Sequence, residues 1–511
     1  MSQSDTGVYI GLDLGTSGLK GVALAEEGTV IARAGAAYPT RRPGPGACEQ
    51  APQDWLAAVE SVAAHLRHAA APRRWRGMGL SAMIPTLVTA RAGGEPAGPA
   101  ITWQDGRAGA RGEQLRERCG GERLYRATGQ WVDGRYLLPM FLRVADDEPA
   151  RAATVTRLLA AKDYLIGWLT GDIATDPSTA AGFGCYRLEA GAWDGDVIAA
   201  AAALAGPAVP VLPSLPPVLP STACRPLRGE IAQRLGCGRI PVCLGAADSV
   251  LGAHGLGVSH RGEVAYIAGT SNVIMGVADR LLLDPDHRFL VTPLAEAGRW
   301  GLEMDLMATG SAISWLAGLF GTGIDEAALV ALAAGVDPRD APLVLPYLSP
   351  GEQGALWDPL LRGAFVGLEL CHERRHLARG LVNGIVLESR RCLTVLGETG
   401  QFGREIKVAG GSAADPGFRA DLADATRRRV DRPGGHDADC SARGAALLAA
   451  LVIDGIRPGP EPAPPAAEPD PDRATIWDEL WASYERVRHA VARPDRAGPG
   501  VPRRPGQAGQ T

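Results

Sequence analysis

The sequence predicts an α/β protein built from two related domains. An apolar run, a glycine-rich turn and a second apolar run open the chain at 8–24, and the same succession of strand, Gly-Thr-Ser and strand returns at 264–277. One echo in each half fits two related domains; a solenoid would repeat at a far shorter period. With 511 residues the chain is also too long for a single ordinary core, which sets the expectation at two or three domains.

The elements follow in order. Residues 8–12 form the first strand, Gly15-Thr16-Ser17-Gly18 turns, 21–24 form the second, and Glu27-Gly28 turns into a third at 30–32. Leu56, Val59, Ala63 and Leu66 recur at helical spacing, which predicts a helix over 53–68 with Pro52 just before it, where a helix start tolerates proline. The stretch 202–228 is rich in proline and is expected to be an irregular connector. The segment 457–511 is Pro- and Ala-rich around one amphipathic helix at 476–491, with 494–511 expected to be disordered.

Composition excludes several classes. The net charge of −5 comes without a basic stripe, so no nucleic-acid partner is expected. No uncharged apolar run reaches eighteen residues, so no membrane span is expected, and residues 1–6 lack the regions of a signal peptide. Nine cysteines are dispersed without a CxxC pair, which argues for reduced thiols and a cytoplasmic location. Only three lysines occur, Lys20, Lys162 and Lys407.

Four segments carry chemistry. Phosphates need backbone N–H groups in a concave turn and small residues that let the chain approach. The run from Asp13 through Gly15, Thr16 and Ser17 to Lys20 offers both, with Asp13 at a strand end where its carboxylate can hold hydrated Mg²⁺. Gly-Thr-Ser alone is an ordinary hairpin, but the second copy at Gly269, Thr270 and Ser271 gives a matched pair able to grip a triphosphate. A third segment, 406–412, ends a strand in Gly410-Gly411, open enough for an adenine or ribose, and Ser412 is expected to cap the next helix. In the fourth, 245–255, Asp248 stands among small residues after an apolar run: either a helix cap or the base that takes a proton from an alcohol. No GxxxxGK[ST] loop and no GxSxG elbow occur.

In this order the segments resemble the FGGY carbohydrate kinases, xylulokinase-like members above all. Glu49, Gln50, Pro52 and Trp55 resemble their EQ-x-P-x-x-W element, Trp103 to Arg107 their W-x-D-x-R segment, and Ala161 to Leu165 with Leu169-Thr170-Gly171 their P-K-D-Y-L…L-T-G. The resemblance spans about 8–450. It implies two ribonuclease-H-like domains of the actin superfamily with an interdomain cleft: a sugar-binding domain at 7–247, a nucleotide-binding domain at 248–455, and a C-terminal helix and tail at 456–511. It implies ATP and Mg²⁺, with Asp248 as catalytic base and Asp13 at the metal. Gly15, Thr16, Ser17, Lys20, Gly269, Thr270, Ser271, Gly410 and Gly411 would hold the nucleotide. Trp103, Gln104, Asp105 and Arg107 would contact the sugar, with Gln130, Trp131 and Asp133 behind them. Trp103 is equally readable as core, and Arg107 as a partner of a surface carboxylate. A small sugar or polyol is the expected partner, and the resemblance admits a homodimer.

Departures from the pattern are as informative. Gly363 to Leu368 and His376 fit the C-terminal signature, whereas Gly380, Leu381 and Asn383 depart from it, and Met140 stands at the first-domain signature lysine. Xylulokinases carry a Met-His pair against the sugar where this chain has Ile84-Pro85. A proline cannot donate a hydrogen bond, and a buried hydroxyl left without its partner costs about 1–3 kcal/mol, enough to move specificity to another ketose, alditol or cyclitol. Two rivals stand beside the kinase reading. His372 to His376 spells HExxH, which would suggest a zinc hydrolase, and the superfamily also contains non-catalytic nucleotide-dependent sensors.

Overall fold

The computed structural model describes residues 7–491 apart from 72, 208, 210, 322, 350–353, 359, 435–438 and 459–462. The expected disordered tail at 494–511 lies outside the described residues. The chain divides into two compact units that are discontinuous in sequence. The first takes residues up to 262, then 276–303 and 433–462; the second takes 263–275, 304–432 and 463 onward.

The first unit is built on a six-stranded sheet of β1 (Gly7–Leu14), β2 (Gly18–Ala25), β3 (Val30–Ala37), β4 (Arg74–Ala82), β5 (Cys224–Pro226) and β6 (Pro241–Ala247), in the order β5-β6-β4-β1-β2-β3. Neighbours β1, β4 and β6 run parallel, while β2, β3 and β5 are antiparallel to their partners. Side chains alternate across a strand, so β1 serves two cores. Val8, Ile10, Leu12 and Leu14 meet Trp55, Val59, Val62 and Leu66 of α1 (Pro52–Ala69). Tyr9 on the other face packs with Ala442, Ala446 and Ala449. A small sheet joins Glu49–Gln50, Ala100–Thr102, Thr86–Ala90 and Arg157–Ala160, the last leading into α2 (Ala161–Thr170). Helix α3 (Asp248–Gly255) continues directly from β6.

A second sheet has the order β9-β10-β8-β7-β11-β12, from β7 (Val264–Ala268), β8 (Asn272–Ala278), β9 (Leu290–Pro293), β10 (Trp300–Leu306), β11 (Glu405–Gly410) and β12 (Arg429–Asp431). The second unit adds α4 (Gly310–Phe320), α5 (Arg374–Glu398) and α6 (Pro416–Thr426). In the first unit, α7 (Cys440–Asp454) packs on β1 and on α3, where Gly444 and Gly255 let the two helix backbones touch: a Cβ on Gly444 would stand 1.9 Å from the Leu251 carbonyl oxygen. The C-terminal α8 (Pro471–Val491) starts five residues before its expected position because Asp470 accepts the Asp472 N–H at 2.9 Å and Pro471 suits a first turn. It is held to α5 by the pairing of Glu485 with Arg391 and by Arg390 to Asp478 at 2.7 Å.

Three expectations are corrected. The proline-rich stretch is not irregular throughout: a helix at Gly195–Ala205 reaches into it, and its end forms β5, where Pro226 is tolerated at a sheet edge. Ser412 does not cap a helix. It lies in a 3₁₀ turn, and Asp415 accepts the Phe418 N–H at 2.8 Å to cap α6. The cysteines are not all unpaired: Cys224 and Cys243 face each other across β5 and β6, Cα atoms 4.1 Å apart, and are joined as a disulfide. Dispersed spacing concealed this because cross-strand pairing, not sequence distance, brings them together.

Candidate active site

Three parallel strands of the first unit end together. Asp13 on β1 is in register with Ser81 on β4, and Ser81 is in register with Ala246 on β6, two residues before Asp248. Strands β1 and β6 are two spacings, about 10 Å, apart. The Ser81 hydroxyl donates to Asp13 Oδ1 at 2.7 Å. Burial raises the Asp13 carboxyl above the usual range, against the Ser81 hydrogen bond and the charge of Lys20, its cross-strand neighbour. Asp248 is the first residue of α3; the Ser249 N–H donates to its Oδ1 at 3.0 Å, and Ser441 donates to its carbonyl at 2.9 Å. His254 on the same helix is pushed below its ordinary value by burial and stays neutral near pH 7.

The turn after Asp13 is braced at every residue. Gly15 N–H donates to the Gly18 carbonyl at 3.1 Å, and the Tyr38 hydroxyl donates to the Gly15 carbonyl. Gln50, itself held by the Trp55 indole at 3.0 Å, donates to the Thr16 carbonyl at 2.7 Å. Trp103 donates its indole N–H to the Thr16 hydroxyl at 3.0 Å while its ring packs partly against the core, as the core reading of that residue expects. Asp105 is buried and accepts the Cys48 N–H at 2.8 Å; Arg107 bridges Asp105 at 2.7 Å and Glu49 at 2.5 Å. Gln104 Oε1 receives Arg42 at 3.3 Å. Gln130 is a structural tie: it donates to the Val291 carbonyl at 2.9 Å and accepts the Tyr136 hydroxyl at 3.0 Å. Asp133 takes its neighbour Arg135, and the Trp131 ring lies under Arg116 and meets the His287 ring at a tilt of 36°.

The second unit carries the other copy. Gly269 N–H donates to the Ser271 carbonyl at 3.0 Å, and the N-terminus of α4 seats against the turn, Ser311 N–H donating to the Thr270 carbonyl at 3.0 Å. Ala268 and Gly410 are register partners at the ends of parallel strands β7 and β11, and Gly411 N–H donates to the Ala268 carbonyl at 3.0 Å. The turn and the glycine pair are therefore adjacent. Gly410 has φ +100°, and a Cβ there would stand 1.9 Å from the Ala268 oxygen, so only glycine fits. Asn272, which the motif did not single out, is fully buried beneath the turn, accepting the Thr309 hydroxyl at 2.8 Å and donating to Tyr266 at 2.5 Å.

Residues 8–255 match the N-terminal domain of the FGGY family of carbohydrate kinases, and 264–453 match its C-terminal domain. The chain belongs to that family. A xylulose kinase of Klebsiella pneumoniae is 31% identical over 95% of this chain and 98% of its own length. A gluconokinase of Bacillus subtilis (strain 168) is 26% identical over 85% and 86%. The crystal structure of xylulose kinase from Rhodospirillum rubrum superposes with a TM-score of 0.83 at 27% identity, covering 96% of this chain and 99% of that one. This FGGY kinase is thus a phosphotransferase whose acceptor is a sugar hydroxyl.

Local geometry removes the zinc reading of HExxH. In this kinase α5 begins at Arg374, so His372 precedes the helix that carries His376, and each ring accepts a backbone N–H on Nδ1, from Glu369 and Glu373, both at 2.9 Å. Among the described residues no three His, Cys, Asp or Glu side chains converge as a metal site. The departures at 380–383 have a packing cause: a Cβ on Gly380 would lie 2.5 Å from the Pro342 carbonyl oxygen, and Asn383 donates to the Pro338 carbonyl at 2.9 Å. Met140 is buried in core. No helix among the described residues is long and apolar enough to cross a membrane.

Proposed function

We propose that the protein transfers the γ-phosphoryl group of ATP to a hydroxyl of a small sugar, a ketopentose or related polyol, with Asp248 as general base. The observation that supports this is the placement of Asp13 and Asp248 at the ends of parallel strands on either side of Ser81. The acceptor hydroxyl gives its proton to the Asp248 carboxylate as its oxygen bonds to phosphorus and the bond to ADP breaks. In the first unit the Asp13–Ser17 turn, and in the second the Gly269–Ser271 turn with Gly410 and Gly411, are small-residue segments that would let phosphates and nucleoside approach the backbone closely. Lys20, cross-strand from Asp13, adds positive charge.

Asp13 is the residue that would hold Mg²⁺. A half-buried carboxylate whose ionised form is disfavoured by desolvation suits a hard cation. Such an ion keeps several waters and takes one or two carboxylates plus substrate phosphates, so a single acid suffices. When bound it would neutralise charge on the phosphoryl oxygens.

The chain departs from the xylulokinase pattern at Ile84-Pro85, just past Met83 at the end of β4, where Met83 N–H donates to the Leu14 carbonyl at 2.8 Å. Neither side chain can donate to a sugar hydroxyl. A coupled ADP assay over xylulose, ribulose, alditols, cyclitols, gluconate and glycerol tests the reading. Turnover is expected on a ketopentose or related polyol, with xylulose not the best acceptor. Flat ADP production across the panel would overturn it.

A further inference from the structure

We propose, on the reading of Asp248 as base, that Lys162, Asp176 and Ser178 are positioning residues: a buried ionic clamp that holds a bulge in β6 and thereby aims Asp248. The starting observation is a fault in the sheet. Against β4, Cys243 pairs with Gly79 and Ala246 with Ser81, so Leu244 and Gly245 together oppose Leu80. A bulge of this kind bends the strand and takes backbone groups out of the ladder. Gly245 has φ +70°, and a Cβ there would stand 1.7 Å from the Leu80 carbonyl oxygen.

Four backbone groups at and just after the bulge find partners in distant sequence. Leu244 N–H donates to Ala223 O at 2.9 Å and Gly245 N–H to Ser221 O at 3.0 Å. The Leu244 carbonyl accepts Lys162 Nζ at 3.0 Å, and Ala247 N–H donates to Ser178 Oγ at 2.9 Å. Those last two side chains meet on one carboxylate. Asp176 Oδ1 pairs with Lys162 Nζ at 2.9 Å, side chains 0% and 1% exposed. Its Oδ2 accepts Ser178 N–H at 2.9 Å, Ser178 Oγ at 2.5 Å and Ser221 Oγ at 3.2 Å. The single Ser178 hydroxyl proton is thus committed to Asp176, which turns a lone pair toward Ala247, the residue before the base.

A buried ion pair is weak evidence for stability, since an apolar pair of the same volume often does as well. What the charges supply is direction at both sides of the bulge. Lys162 is one of three lysines in a chain otherwise furnished with arginine, and it stands where a compact ammonium, not a planar fork, must reach one carboxylate and one carbonyl. The clamp meets the strand at Leu244 and Ala247; Asp248 is the next residue, at the first position of α3.

Ser178→Ala tests the clamp while leaving its ion pair in place. Expected is a fall in kcat of about tenfold or more, the scale of a small misplacement of a catalytic group. KM for ATP and for the acceptor should stay within about twofold, and Ser178→Thr should restore the rate. In an Asp248→Asn background the same substitution should cost nothing further. A wild-type kcat with only a lower Tm overturns the proposal, as does an equal loss in both backgrounds. If Ser178→Ala does not fold, Ser178→Cys, a near-isostere with a weaker acceptor, is read by the same criteria. Asp248→Asn alone separates the two claims: substantial turnover in it removes the base reading and the clamp's role together, whereas an inactive Asp248→Asn beside an unaffected Ser178→Ala removes only the clamp.

Discussion

Trp103 and Thr16 are joined by a hydrogen bond from indole N–H to hydroxyl at 3.0 Å, so the Trp-x-Asp-x-Arg segment and the first Gly-Thr-Ser turn form one structure although 87 residues separate them. Thr16 is held from its carbonyl by Gln50 as well. Trp103 thus supports the turn proposed to hold phosphate.

Trp103→Phe keeps the ring and removes the donor. A neutral hydrogen bond of this kind contributes about 1 kcal/mol, so kcat/KM for ATP should fall about fivefold. Thr16→Val should cost a similar amount, and the double variant no more than the worse single one, because both remove the same bond. Steady-state kinetics on the four proteins measures this; additive losses would show that the two side chains act separately.

Asp248→Asn preserves size and removes the proton acceptor. Turnover should fall at least ~10²-fold, the usual scale for a general base. ATP affinity, measured by calorimetry, should be unchanged. Near-normal turnover would assign the proton transfer to another group.

Gly410→Ala should loosen the nucleotide and little else. The backbone angle there disfavours any side chain by about 1–2 kcal/mol, and the new methyl would collide with the Ala268 carbonyl, which also receives Gly411. The expected result is at least a tenfold weaker ATP Kd with acceptor binding intact. An unchanged Kd would place the nucleotide elsewhere.

Asp163 links stability to pH. Burial pushes its carboxyl from 3.8 up to about 7, against the nearby Lys162 charge and the Ala160 N–H, which it accepts at 2.9 Å. The folded state therefore keeps a proton that the unfolded chain releases. The stabilisation is fully present below pH 4 and is lost as pH rises through 7. Asp163→Asn keeps an acceptor for Ala160 and does not titrate. Denaturant melts at pH 4 and 7.5 should show the wild type losing up to about 4 kcal/mol relative to the variant. Parallel pH curves for the two proteins would contradict this.

Much of the fold was legible because its signals are local. Two apolar runs with Gly-Thr-Ser between them make strand, turn and strand wherever they occur, and both copies appear at the expected places. The helix expected over 53–68 forms at Pro52–Ala69 because one face carries Trp55, Val59 and Leu66. Asp248 could be read as base or cap from sequence; it stands at the first position of α3, and the N-cap place falls to Ala247.

Other features depended on residues far apart in the chain. Neither the Cys224 to Cys243 pairing nor the Ser81 to Asp13 hydrogen bond follows any periodicity; both come from strand register. Ser412 had the right residue type for a cap, but Asp415 has the right backbone. The sequence by itself determined the strand-turn-strand units, the kinase motifs and their order, since these need only neighbouring residues and their periodicity. Only the tertiary structure decided how Asp248 is aimed: the bulge at Leu244–Gly245 survives because Lys162, 82 residues earlier, and Ser178, 69 residues before Ala247, satisfy backbone groups that would otherwise be buried without partners.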